Sequence, residues 1–237
     1  MAHKKNERDA TQIIDSNIEA MAKSYQRTTA GAMRMTLKPV FDAMDVEMAA
    51  SSMHIACKAG CAFCCHYRVQ VSAAEAFALA EHVEAMPAAQ QAALREQIAT
   101  TAKRVAPLSK AEYEATNIAC AFLEGSRCSV YALRPSPCRG HHAVDAGVCE
   151  RTFQNPASTE MNALDPARHA AHEGYKSTIL FGQHHAGHDG TAYELHTAVH
   201  AALTNRAGFR RWKDGKVAFP EVRDRQSVED LIAESLR

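Results

Sequence analysis

The sequence has no net charge: 27 lysines and arginines stand against 27 aspartates and glutamates in 237 residues. A zero balance argues against a general nucleic-acid or anionic-membrane binder, which needs a basic surface. No apolar run approaches the roughly 18 residues of a membrane helix. The opening Met1-Ala-His-Lys-Lys-Asn-Glu-Arg-Asp9 lacks the apolar stretch of a secretory signal. A cytoplasmic protein, off the membrane, is expected. GxGxxG and phosphate-loop patterns are missing, so nucleotide cofactors gain no support. Gly-x-Ser-x-Gly and His-Glu-x-x-His are missing too, and with them the serine-hydrolase elbow and zinc-protease chemistry. There is no internal repeat, low-complexity linker or heptad series. A chain of this length with 46% hydrophobic residues can bury a core without disulfides.

What the chain has in excess is eight cysteines and thirteen histidines. In a reducing compartment clustered cysteines serve as metal ligands or catalysts more often than as staples. The first block is Cys57-Lys-Ala-Gly-Cys61-Ala-Phe-Cys64-Cys65; the second spaces Cys120, Cys128, Cys138 and Cys149 over thirty residues. Two cysteines separated by two residues can turn both sulfurs into one site. Gly60 supplies the backbone freedom for that turn. Neighbouring Cys64 and Cys65 cannot bridge without strain. Their side chains are expected to diverge, with one of them serving as ligand. Lys58, Arg68, Arg127, Arg134, Arg139 and Arg151 lie beside the cysteines in sequence. Such cations lower thiol pKa and offset thiolate charge. The plainer alternatives are surface arginines and inert buried thiols.

Hydrophobic periodicity predicts mostly helix. Residues 1–10 read as a frayed polar tail. Helices follow over 11–27 and 29–53, the second kinked or divided at Pro39. Its methionines read as core fillers. Residues 68–71 alternate like a short strand. Ser72-Ala-Ala-Glu75 is a capping box that opens a helix to about 84. Pro87 opens another, to about 105, and Ser109-Lys-Ala-Glu112 caps a short one. The stretch 119–150 reads as loop-rich, with little core of its own. Asp165-Pro166 starts a helix to about 184, followed by one over 190–204. Trp212 to Val217 reads as a turn between extended pieces, and Ser227 as the start of a last helix. The expected organisation is an N-terminal helical extension (1–56), a cysteine-cluster metal-binding domain (57–150) and a C-terminal helical segment (151–237) packed on it as one compact unit. The fold class is mostly α, with an irregular cysteine-rich centre and a few short strands.

The second block continues as Cys120-Ala-Phe-Leu-Glu-Gly-Ser-Arg-Cys128-Ser-Val-Tyr131-Ala-Leu-Arg134-Pro135-Ser-Pro-Cys138-Arg139. Taken with the first block it resembles the YkgJ-like CxxCxxCC cysteine-cluster family of zinc- or iron-chelating proteins. Cys61, Cys64 and Cys65 match that family's knuckle. Cys120, Cys128, Tyr131, Arg134, Pro135, Cys138 and Arg139 match its downstream stretch. Three residues rather than two separate Cys57 from Cys61, a departure that bears on Cys57. The resemblance covers roughly 57–150 and implies metal chelation rather than a particular reaction. Phe122, Leu123, Val130 and Tyr131 are expected to anchor short strands on the core. Arg134 and Arg139 are expected to donate to sulfur or to hold a carboxylate.

Cys57-x3-Cys61-x2-Cys64 also matches the radical-SAM cysteine spacing. That chemistry follows a first strand and a strand–helix alternation, whereas helices are predicted ahead of this block and no Gly-Gly-Glu follows it. A zinc ribbon would show two paired CxxC knuckles, which are missing. His141 or His142 could complete a site. His184, His185, His188, His196 and His200 have ligand-like spacing but read as solvated or capping. A redox relay through Cys64 or Cys65 is a further alternative. The expectation is therefore zinc or iron, including the form of an iron–sulfur cluster, held by Cys57, Cys61, Cys64, Cys65, Cys120, Cys128, Cys138 and Cys149. A metalloenzyme or redox enzyme using that cluster is the alternative. The partner is a metal ion, with no nucleic acid and no membrane.

Overall fold

The computed structural model describes residues 2–227 and Asp230. Helix α1 (Ala2–Arg27) reaches back through the expected polar tail, because Lys, Glu and Arg are good helix formers and no Gly or Pro interrupts them. Helix α2 (Met33–Ala49) is shorter than expected and continuous through Pro39. Met33, Met44 and Met48 are buried as core fillers, but Met35 and Met53 face solvent. A 3-10 turn (Phe63–His66) carries the end of the first cysteine block and leads to β1 (Gln70–Ser72). Helix α3 (Ala73–Glu84) starts at the Ser72–Glu75 capping box. Helix α4 (Ala88–Val105) follows Pro87, and the Ser109–Glu112 box starts α5 (Lys110–Glu114).

The second cysteine block is more ordered than its composition suggests. Strands β2 (Leu123–Glu124) and β3 (Arg127–Cys128) form a hairpin that pairs Leu123 with Cys128. A 3-10 turn (Tyr131–Leu133) and two helices, α6 (Ser136–Gly140) and α7 (Ala146–Gln154), complete it. Of the two short strands expected here, β2 begins at Leu123, whereas Tyr131 opens a 3-10 turn; the two helices are too short to show a period of their own, which is why sequence reasoning misses them.

Asp165 caps α8 (Pro166–His185) as expected. The next helix differs. Residues 192–194 form β4 (Ala192–Glu194), and only then does α9 (Leu195–Thr204) begin, capped by the Glu194 carboxylate. Strand β4 pairs antiparallel with β1, bringing Gln70 opposite Glu194, and with β5 (Arg225–Gln226) on its other edge. Trp212 sits in a helix, α10 (Gly208–Lys213), where a turn between extended pieces was expected. Its fully buried indole explains this: the ring is drawn into the core beside Tyr25 and Phe77. Ser227 and Asp230 exchange capping hydrogen bonds, but the rest of the expected last helix lies outside the described residues.

Helix α1 packs on α8, α4 on α9, and α2 against both α3 and α8. One hydrophobic cluster takes residues from Met21 to Val222. Gln183 ties three helices at its centre. Its Oε1 accepts from the Trp212 indole at 2.9 Å and from the Ala74 amide at 3.1 Å. Among the described residues no helix is long and apolar enough to cross a membrane.

Candidate metal centre

Two distant stretches meet because their backbones are tied. The Cys120 amide donates to the Cys65 carbonyl at 2.8 Å, and the Ala56 amide to the Ala143 carbonyl at 2.8 Å. Helix α7 adds a third tie through Phe153, whose ring packs on Phe63 at 5.5 Å and on His66 at 4.8 Å. Gly60 takes the left-handed conformation, φ 87°, in a turn closed by the Cys61 amide on the Lys58 carbonyl.

Seven of the eight cysteines line one cavity of about 1020 Å³: Cys57, Cys61, Cys64, Cys65, Cys120, Cys128 and Cys138. Cys149, buried on α7, accepts from the Asn162 amide and is near enough to Cys57 and Cys61 to act on their ionisation. All eight thiols are free. Mutual influence sorts the sulfurs into two groups. Cys138 feels Cys120, Cys128 and Cys65; Cys149 feels Cys57 and Cys61. Cys64 stands between them, influenced by Cys65 and Cys138 on one side and by Cys57 on the other.

Cys64 and Cys65 do not diverge as expected. Both turn into the cavity, and the Cys64 thiol hydrogen-bonds Cys65. That bond draws the Cys65 pKa down to about 7, against burial, and pushes Cys64 far up. Burial, then neighbouring sulfurs, raises Cys128 and Cys138. Crowded, half-buried thiols of this kind resist ionising until a cation joins them, and a bound metal deprotonates a coordinating thiol outright. The donor set therefore fits a thiophilic metal. Among the described residues no three cysteine sulfurs lie mutually within 4.8 Å. A tetrahedral zinc with four thiolate bonds near 2.3 Å would need sulfurs about 3.8 Å apart.

The cations divide by role. Arg68 forms a two-pronged pair with Asp224, with Nε–Oδ2 at 2.6 Å. Arg139 pairs with Asp45, donates to the Ala132 carbonyl at 2.7 Å and stacks on Phe41, so it holds the fold. Arg151 pairs with Glu160 at the surface. Arg134 differs: its guanidinium lies 3.9 Å from the Tyr131 ring centre, and its buried Nε has no partner. It is close enough to Cys57 and Cys128 to favour their ionised forms. Tyr131 is exposed and does not anchor on the core; Phe122 and Val130 do.

The histidines also separate. His142 is spent structurally, Nε2 accepting from the Asp165 amide at 2.9 Å and Nδ1 on the Gly140 carbonyl. His141 lines the cavity, stacked edge-on against Tyr67. Burial, then His142, lowers its pKa, which keeps it neutral and able to ligate. His184 and His185 are exposed, but His188 and His196 are buried, contrary to a solvated reading. His188 packs on Trp212.

His196, noted in the sequence for its spacing but read as solvated or capping, has a role that only the fold reveals. Its Nδ1 lies 2.8 Å from the Glu194 carboxylate, and its Nε2 is reached by the Ala121 amide at 3.2 Å, one residue beyond Cys120. Burial opposes charging the ring, but Cys120 and Glu194 carry its pKa up to about 10. With Nε2 accepting from Ala121 the ring's proton sits on Nδ1 and serves Glu194; charging the ring keeps that bond and gives up the one from Ala121. Burial alone would raise the pKa of Glu194; His196 and the α9 amides outweigh it and hold the carboxyl below its ordinary range. Glu75, expected as a capping residue alone, has a second role. It is buried in the cavity wall, and its Oε1 accepts from the Ser136 amide at 2.7 Å, at the start of the helix that carries Cys138.

A close approach fixes the other end of α6. A Cβ built on Gly140 would meet Cδ2 of His172 at 2.1 Å. Gly140→Ala is expected to cost about 1–3 kcal/mol of stability by overpacking. The double variant Gly140→Ala/His172→Ala should cost less than the sum of its parts, as the coupling in a denaturation cycle. Strict additivity would show that the ring does not set the limit.

Residues 56–166 match the CxxCxxCC family, described as a "putative zinc- or iron-chelating domain". No curated protein and no solved structure matches the chain.

Proposed function

We propose, from a stretch that matches a metal-chelating family, that this protein binds zinc or iron through thiolates of both cysteine blocks. One group is Cys65, Cys120, Cys128 and Cys138. The other is Cys57, Cys61 and Cys149, with Cys64 between the two. The observation that carries the reading is the gathering of seven free thiols, from stretches more than fifty residues apart, around a single cavity. Eight sulfurs exceed the four that one zinc takes, which leaves donors for a second ion; their spacing, wider than a zinc tetrahedron in either group, favours the broader reach of an iron–sulfur cluster. The metal would supply Lewis acidity or electron transfer.

The test is metal analysis by mass spectrometry on protein purified without oxygen, together with its visible spectrum. Zinc or iron should copurify with the wild type. Cys65→Ser and Cys149→Ser should each lower the content, the first acting on one group and the second on the other. Brown colour with absorbance in the blue marks an iron–sulfur cluster; a colourless zinc-loaded protein excludes it. A wild type free of transition metal, or serine variants with unchanged content, would refute the proposal.

A second reading, a metalloenzyme, draws on the cavity, whose volume is at the upper end of those that hold small ligands and far beyond what an ion fills. Its signature is an activity lost in Cys128→Ser while folding persists.

A further inference from the structure

Helix α8 carries a second donor set that contains no sulfur. His169, His172 and Glu173 stand at i, i+3 and i+4, which places them on one helical face. One ligand atom from each lies within 4.8 Å of the others, the one such trio of His, Cys, Asp or Glu among the described residues. His172 Nδ1 is 3.4 Å from Glu173 Oε1. The Lys176 ammonium holds the other carboxylate oxygen, Oε2, at 2.6 Å. Lys176 thus occupies one oxygen and leaves the other turned toward the histidine.

Two further observations concern how the His172 ring is held beside this pair. His172 Nε2 is buried without a hydrogen-bond partner, an uncommon state for a polar atom. The chain also keeps a glycine at position 140, where any Cβ would collide with this ring. His172 and Lys176 form part of the wall of the cavity that the cysteines line.

We infer that His169, His172 and Glu173 bind one divalent transition-metal ion, distinct from the metal of the thiolates. Two imidazoles and a carboxylate suit zinc or ferrous iron, whereas the sulfurs select softer binding. Three protein donors leave coordination open to water or a small ligand. The ion lies at the edge of the cavity. This site does not depend on the thiolate reading, since it shares no donor with it.

Cobalt(II) separates the two sites. Sulfur-to-cobalt charge transfer in the near ultraviolet reports thiolate binding, and equilibrium dialysis counts total bound ions. The full chain is stripped by chelator and loaded with cobalt(II), alongside His169→Ala and Glu173→Gln. His169 is exposed, so its truncation leaves the packing intact. Each variant should bind one ion fewer per chain than the wild type, with the charge-transfer band unchanged. An equal count in wild type and both variants overturns the inference. So does a band that falls together with the count, since a single shared site would then explain both. A wild type with no band but one histidine-dependent ion would leave this site standing and remove the thiolate one.

Discussion

Glu194→Ala should lower folding stability by about 3–5 kcal/mol, the range for deleting one partner of a buried charged pair. Glu194 and His196 expose only 2% and 1% of their side chains. The same carboxylate caps α9, accepting from the His196 amide at 3.0 Å and the Thr197 amide at 2.8 Å. Truncation therefore removes the cap and takes the carboxylate from the imidazole, which keeps only the Tyr113 hydroxyl at 3.3 Å and the Cys120 thiol as polar side-chain neighbours. Glu194→Gln keeps an acceptor for the helix and should cost less. The folded pKa of Glu194 lies below its ordinary value, so its contribution is present above about pH 4.3 and is lost as pH falls through the folded pKa. The acid limb of a stability profile should accordingly be shallower in Glu194→Ala. Denaturant titration at fixed metal loading measures all three effects. Alanine and glutamine variants both within 1 kcal/mol of wild type (about the median of an exposed pair) would show that the pair does not hold α9.

The second large effect belongs to Glu75→Ala, expected to cost about 2–4 kcal/mol. The carboxylate closes the Ser72 capping box, with Oε2 accepting from the Ser72 amide and hydroxyl at 2.9 Å each. Its other oxygen holds the Ser136 amide. Alanine leaves both amides buried without a partner. Cys138 lies two residues beyond Ser136, so the variant should also retain less metal, and Glu75→Gln should restore part of both properties. A stability loss without any change in metal content would confine Glu75 to the fold. Full metal content with unchanged stability would remove its role altogether.

The parts of this fold that a reader of the sequence can find are those fixed by neighbours in the chain. Ser72 with Glu75, Ser109 with Glu112, and Asp165 before Pro166 each carry their helix start within four residues, and all three appear as expected. The cysteine blocks were legible for the same reason: spacing is written along the chain. What was hidden depends on partners far away. Strand β4 exists because β1, more than a hundred residues earlier, lies beside it. Trp212 is helical because Gln183 and Tyr25 receive its ring. His196 looks like any helical histidine until Glu194 and Cys120 are placed around it. Glu75 showed its capping role in sequence but not its hold on Ser136, sixty-one residues on. The trio on α8 could have been found, since His169-x2-His172-Glu173 lies inside a helix that the sequence does predict.

The ties between the cysteine blocks are made by amides, carbonyls, a carboxylate and phenyl rings rather than by sulfur. The enclosure is thus largely separate in chemistry from its contents, and sulfur joins the wall where Cys149 meets Asn162 and Cys120 meets His196. Exchanging the other sulfurs for oxygen or imidazole should alter the guest without dismantling the host. The same walls could therefore be re-equipped, one donor at a time, to ask which ion each arrangement prefers.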